Sequence, residues 1–359
     1  MKFGRTLTEL AMELERQREV KKDYLVDTRN IYVDAAPNFT QLSIKNDATG
    51  ETLILGVNEV AHNQIGTSLG IPAKYYDKMR EENPELLAEN LNSWFHKNQK
   101  THMLRTLDGT ARAFLSDRYR RIDNYEIAQT VLPIIGQMPD ARIESCEITD
   151  ERMYLKVVNP RLTTEVTPGD VVQSGILITN SEVGLGSVTI QPLVYRLVCT
   201  NGMVINDART RKYHVGRGNS AAEDYTIYSD ATLMADDRAL QMKIQDTVKS
   251  VVEKARFERV VDMMRQAKGA TITSQNIPKM VELAAEDFKY TKQEGEGILD
   301  YLIRGGDLSL YGFANATTRY AQDVGSYDRS TALESIGYSI LGMSPAMWSK
   351  INNTERAAA

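Results

Sequence analysis

The sequence predicts an α+β fold, with an antiparallel sheet carrying packed helices followed by a mainly helical C-terminal region. Three observations predict it. Alternating segments flank the turn dipeptide Asp108-Gly109. Short strand-like runs separated by turn clusters dominate from about 141 to 215. From about 231 onward the apolar residues recur with a near-3.6 period.

In order along the chain, an amphipathic helix is expected over roughly Thr6–Lys22, then extended segments near Ile31-Tyr32-Val33 and Gln41-Leu42-Ser43-Ile44. Asn46–Gly50 makes a turn before the strand Thr52–Leu55. Helical patterns follow over Val60–Leu69, after Pro72 through Tyr75, Tyr76 and Met79, and after Pro84 through Leu86, Leu87, Leu91 and Trp94. Asp123-Asn124-Tyr125-Glu126 has the form of a capping box and opens a helix carrying Ile127, Val131, Leu132 and Ile135. Strands are expected at Ala141–Glu147, Met153–Val158, Val171–Thr179, Val188–Cys199 and Met203–Asn206. The polar stretch Gly216–Asp224 suggests a boundary between an α+β domain, 1–220, and a helical C-terminal domain, 221–359. The latter begins with one long helix from about Ala231 to Lys268, followed by helices around Pro278–Tyr290, Glu294–Ile303, Gly312–Asp323 and Ser330–Leu341.

Composition narrows the function classes. The 359 residues, 42% hydrophobic and 25% charged, are ordinary for a globular protein with a sizeable core. No apolar run approaches the roughly 20 residues that span a bilayer, so a cytoplasmic protein without membrane contact is expected. A net charge of −5 argues against coating duplex DNA through bulk electrostatics and leaves binding to local patches. Two cysteines, Cys146 and Cys199, and four histidines without metal-ligand spacing give no reason to expect a metal or other cofactor.

A two-residue type I′ turn at Asp108-Gly109 fixes a register in which Leu107 faces Thr110, Arg105 faces Arg112 and Met103 faces Phe114. Like charges opposed on a ladder destabilise by roughly 0.2–1 kcal/mol, so a neutralising anion such as phosphate is sought. The opposing explanation is that acids from elsewhere hold these arginines, or that they form a solvated face. Lys97 and Lys100 precede the hairpin, and Arg118, Arg120 and Arg121 follow it with Tyr119 among them. Such interleaving suits backbone phosphates and stacked bases. A second hairpin, read with Asn201-Gly202 as its turn, opposes Arg196 to Asp207, a matched pair. Arg209, Arg211 and Lys212 then form a further basic segment, alternatively a solvated loop.

Catalytic signatures are weak. No phosphate-binding Gly-x-x-x-x-Gly-Lys-[Ser/Thr] segment exists, and Gly184-Leu185-Gly186 lacks a dinucleotide context. Asp140 with Tyr154-Leu155-Lys156 outlines a metal-dependent nuclease, but Tyr154 stands where a carboxylate is needed. Cys199 with His214 would make a nucleophile and base, although Cys199 suits packing better. No enzyme is expected.

Residues 113–120 leading into Ile122-Asp123-Asn124, with 180–186, 195–204 and the region Ile71–Tyr76, resemble the phage- and plasmid-borne family called domain of unknown function 932. That resemblance implies a distant similarity to single-strand annealing proteins of the Rad-repair, Erf and Red-beta types. These use a curved sheet and a packed helix to build rings that hold one DNA strand without ATP or metal. The expectation is a non-enzymatic, homo-oligomeric protein of phage or plasmid origin in the bacterial host cytoplasm, which binds and anneals single-stranded DNA, or binds RNA. Its contacts would be Lys97, Lys100, Arg105, Arg112, Phe114, Arg118, Tyr119, Arg120, Arg121, Arg209, Arg211 and Lys212. The alternative is a protein-interaction module, a phage structural or host-takeover factor that does not bind nucleic acid.

Overall fold

The computed structural model describes residues 1–36, 39–46, 50–119, 121–186, 188–206, 213–215, 230–251 and 254–353. The chain opens with α1 (Leu7–Val20), whose Thr6 and Glu9 bond reciprocally as a capping box. Then come β1 (Lys22–Asp27), β2 (Ile31–Ala36), β3 (Phe39–Lys45), β4 (Thr52–Val57), α2 (Glu59–Ser68), α3 (Ala73–Glu82), α4 (Pro84–Lys97), β5 (Thr101–Leu107) and β6 (Thr110–Ser116). These six strands form one curved sheet in the order β1-β5-β6-β4-β3-β2, antiparallel except for the β4–β6 pair, which is parallel. The helical crossover between β4 and the hairpin lays α2, α3 and α4 over one face. Val33, Leu42, Leu55, Leu104 and Phe114 there meet Ile65, Tyr76, Leu87, Leu91 and Phe95.

A second sheet follows α5 (Asn124–Gln137). It is an antiparallel meander of β7 (Arg142–Ile148), β8 (Met153–Glu165), β9 (Val171–Asn180), β10 (Val188–Arg196) and β11 (Asn201–Val204), with β12 (Tyr213–Val215) also paired to β10. Its pleat sends alternate residues to two different cores. Leu155, Val157, Ile176, Ile178 and Ile190 pack against Leu10 and Leu14 of α1, against Ile127 and Val131 of α5, and against Ile244 of α6 (Asp230–Val251). The other face carries Tyr154, Val158, Leu177, Leu193 and Tyr195.

The helices α7 (Lys254–Gly269), α8 (Ile277–Phe288), α9 (Lys292–Gly305), α10 (Leu310–Tyr320), α11 (Tyr327–Leu341) and α12 (Pro345–Asn352) complete the described chain. Their core, with Val261, Met264, Met280, Ile298, Tyr311, Phe313 and Leu333, also takes in Val172, Val194 and Met203 of the second sheet and Val166 of the turn after β8. A fully buried Leu or Val in such a cluster is worth roughly 1.5–3 kcal/mol over exposure.

The α+β class agrees with the sequence, and several details are corrected. The expected helix over 231–268 is described as α6 and α7, on either side of 252–253, which lie outside the described residues. Val188–Cys199 ends as a strand at Arg196, because the turn lies over Leu197–Thr200, with Thr200 at φ 50°. Arg196 is therefore opposite Asn201 and bonds Asp170 at 2.5 Å; Asp207 lies outside the described residues. Asp108 and Gly109 do take positive φ, 51° and 73°, and Leu107 pairs with Thr110 as expected. One step further a bulge intervenes: Thr106 pairs with Ala111, but Arg105 pairs with Ala113 and Leu104 with Phe114. Arg112 is the extra residue, so the two arginines are not opposed across the ladder.

Candidate functional site

The arginines of the hairpin are buried. Arg105 exposes none of its side chain; its Nε donates to Asp23 Oδ1 at 2.8 Å, Nη2 to Asp123 Oδ1 at 2.7 Å and Nη1 to the Glu182 carbonyl at 2.8 Å. Arg112 Nη2 donates to Glu182 Oε2 at 2.5 Å. Glu182 Oε1 accepts from the Asn124 backbone N–H at 2.5 Å, so it serves the first turn of α5. Asp123, the N-cap of that helix, makes no side-chain cap bond, because its carboxylate is taken by Arg105 and by Lys21 Nζ at 2.6 Å. The expected capping box is thus replaced by a cap from the loop after β9. Arg121 Nη1 adds a bond to Asp23 Oδ2 at 2.6 Å.

Burial by itself would raise the carboxyl pKa of Asp23, but hydrogen bonds from Arg105 and Arg121 outweigh it and hold the group below its ordinary value. Asp123 behaves alike: burial works against its charge, while the field of Arg105 and a bond from Lys21 lower its pKa. Burial opposes the charge of Arg105 too, yet Asp23 and Asp123 raise its pKa overall. Arg105, Arg112 and Phe114, expected above as contacts to a nucleic-acid strand, are buried and form no exposed face. Acids from β1, from the link before α5 and from the loop after β9 neutralise the guanidinium groups internally. Phe114, 3% exposed, packs on His102 and Phe95 with ring centroids 4.2 and 5.8 Å away.

The remaining candidates divide. Tyr119 is half-buried with its hydroxyl donating to the Ser181 carbonyl at 3.4 Å, and Arg121 is exposed but bonded to Asp23. Arg120, Arg209, Arg211 and Lys212 lie outside the described residues. Lys97, Lys100 and Arg118 are exposed and have no carboxylate partner among the described residues. The pairing of His102 with Ser116 brings Lys100 and Arg118 to the same open end of the hairpin, next to the last turn of α4. There Lys97 Nζ stands 5.1 Å from the ring centroid of Trp94, itself 37% exposed. Trp94 was legible as an aromatic one helical turn before Lys97, a spacing that places both on one face.

The nuclease outline is not brought together, and the side chain of His214, the expected partner of Cys199, lies outside the described residues. Asp140 pairs with Arg161 at 2.8 Å, whereas Lys156 is fully buried, 2.7 Å from Glu334. Tyr154 donates to Asp328 Oδ1 at 2.6 Å. Cys199 Sγ accepts from Arg196 Nη1 at 3.1 Å. Among the described residues, no group of three or more His, Cys, Asp or Glu is placed to hold a metal ion, and no helix is long and apolar enough to cross a membrane.

No curated protein and no solved structure matches this chain. The profile of one family does, over residues 112–338. The stretch spans more than half of the chain, from Arg112 in the hairpin to Tyr338 in α11, and contains Asp123, Glu182, Lys156 and Glu334. The protein belongs to the family described as domain of unknown function 932.

Proposed function

We propose that this chain is a non-enzymatic single-stranded DNA-binding protein of phage or plasmid origin that anneals strands as a homo-oligomer in the bacterial cytoplasm. The observation that supports it is the open end of the hairpin, where Lys97, Lys100 and Arg118 stand exposed without carboxylate partners among the described residues, beside the exposed face of Trp94. Cations that hold backbone phosphates next to an aromatic platform are what sequence-tolerant binding of a single strand requires. Arg209, Arg211 and Lys212 join the proposal on charge alone. Arg105, Arg112 and Phe114 leave it, since their side chains are buried.

Fluorescence anisotropy of a labelled oligonucleotide tests the proposal. With three phosphates neutralised, the salt slope is about −2, so affinity falls about twentyfold between 50 and 200 mM salt. The triple variant Lys97→Ala, Lys100→Ala, Arg118→Ala is expected to bind weakly with a flattened slope, and Trp94→Ala to lose about 1–3 kcal/mol of binding. Absence of binding by the wild type at low salt rejects the proposal. It favours instead a protein-interaction module, a reading supported by the exposure of Phe3 (86%), Leu7 (44%) and Met12 (68%).

A further inference from the structure

The closed end of the same hairpin holds a different feature. A cleft of about 440 Å³ lies between α1, the Asp108-Gly109 turn and the turn joining β7 to β8, with Arg112, Thr110, Asn58 and Arg16 in its wall together with the carboxylates of Glu13, Asp108 and Asp150. We propose that this cleft binds a small oxyanion, a phosphate or phosphate monoester, and that Arg112 is the cation that recognises it.

The donor inventory carries the argument. A guanidinium offers five N–H donors, and a buried one left unmade costs about 1–3 kcal/mol. Arg105 engages Nε, Nη1 and Nη2. Arg16, also in the cleft wall, engages the same three nitrogens with Glu13 and Asp108. Arg112 is 8% exposed, and among the described residues its hydrogen bonds run through Nη2 alone, to Glu182; its Nε is buried without a partner. Glu182 is itself divided between Arg112, the Asn124 N–H and Lys21, whose Nζ is 3.7 Å away.

The wall of the cleft carries Arg5, Arg16 and Arg112 together with Glu13, Asp108 and Asp150; Arg16 bonds both Glu13 and Asp108, which leaves Asp150 as the carboxylate of the wall without a cation among the described residues. Asn58 is the N-cap of the ten-residue α2, so the positive end of a helix dipole opens at the wall as well. The volume exceeds that of bare phosphate and lies within the range of small-ligand sites, which suits a monoester. Asp150, exposed and without a partner among the described residues, opposes an anion and keeps the affinity modest.

Thermal unfolding and calorimetric titration with inorganic phosphate and with a nucleoside monophosphate, against chloride at matched ionic strength, test the site. Phosphate is expected to raise Tm and to bind saturably; a larger rise with the nucleotide identifies a monoester as the ligand, and an equal rise the free ion. Asp150→Asn, at an exposed turn, removes one opposing charge and should tighten binding about fivefold. Thr110→Val should weaken it, and Arg112→Met should abolish it. Should Arg112→Met fail to fold, the opposite shifts of the other two variants decide. No advantage of phosphate over chloride for the wild type, or unchanged affinity in Asp150→Asn, overturns the proposal. The triple variant at the open end of the hairpin should retain the phosphate response, so this site and the DNA-binding proposal fail separately.

Discussion

Glu182 is the point at which the two sheets and α5 depend on one side chain, and replacing it gives the sharpest measure of the buried network. Its carboxylate is 4% exposed, meets Arg112 Nη2 at 2.5 Å and caps α5 through the Asn124 N–H at 2.5 Å, while its backbone carbonyl serves Arg105. Glu182→Gln keeps the shape and one acceptor but removes the charge and turns an amide NH2 toward donors that have no use for it. Losing one partner of a buried ion pair costs about 3–5 kcal/mol, because the other charge stays buried. Lys21 is near enough to relax part of that strain in charge balance, so about 3 kcal/mol is expected for Gln. Glu182→Ala also forfeits the cap, adding about 1 kcal/mol. Urea unfolding followed by circular dichroism reads both values. Hydrogen exchange at Asn124–Ile127 should accelerate more in the Ala variant than in the Gln variant. A Glu182→Gln protein within 0.5 kcal/mol of the wild type would refute the reasoning, since it would give the pair the worth of an exposed ion pair, for which about 0–1 kcal/mol is typical.

Two further predictions concern other buried charges. Lys156 and Glu334 form a contact ion pair with no exposed surface, and neither has a well-aligned hydrogen bond. Lys156→Met alone should destabilise by about 3–5 kcal/mol, whereas the double variant Lys156→Met, Glu334→Leu should recover most of the loss; a strictly additive double-mutant cycle contradicts this. His62, 5% exposed and bonded through Nδ1 to the Tyr76 hydroxyl at 2.8 Å, has its pKa pulled down by burial to about 4. The unfolded imidazole titrates near 6.5, so the unfolded state binds more protons in between. The contribution is complete above about pH 6.5 and is lost as pH falls toward 4, up to about 3 kcal/mol. His62→Phe should flatten the urea midpoint across that window, and a wild-type midpoint constant from pH 7 to 4.5 would disprove the assignment.

Local chemistry was legible in the sequence wherever it was self-contained. The Asp108-Gly109 turn and the alternation of the second sheet needed nothing beyond a few neighbouring residues. The charges were not legible, because the partners of Arg105 and Arg112 lie 82, 18 and 70 positions away, at Asp23, Asp123 and Glu182. The same distance effect overrode the capping box at Asp123, whose carboxylate found a stronger use. Asn201-Gly202 misled for another reason. Gly202 is small because Met1 packs over it, where a Cβ would stand 2.6 Å from Met1 Cγ, and the turn itself falls on the four preceding residues. β1 escaped notice since Lys22–Asp27 alternates poorly, with Leu25 65% exposed beside the buried Val26.

The family match begins at Arg112, and this divides the network in an informative way. Glu182, Asn124, Asp123 and Arg112 lie within the matched stretch; Lys21, Asp23 and Arg105 lie before it. Glu182 therefore has an internal task, capping α5, and an external one, receiving Arg105 from the first sheet through its backbone carbonyl. Arg105 spends its donors on acids from both sides of that division and acts as a fastener. Arg112 is placed by the bulge one residue out of register, bonds through one nitrogen only among the described residues, and borders a cleft. Two arginines that look equivalent in the sequence thus differ in unspent hydrogen-bonding capacity. That difference separates a structural guanidinium from one still able to take a ligand.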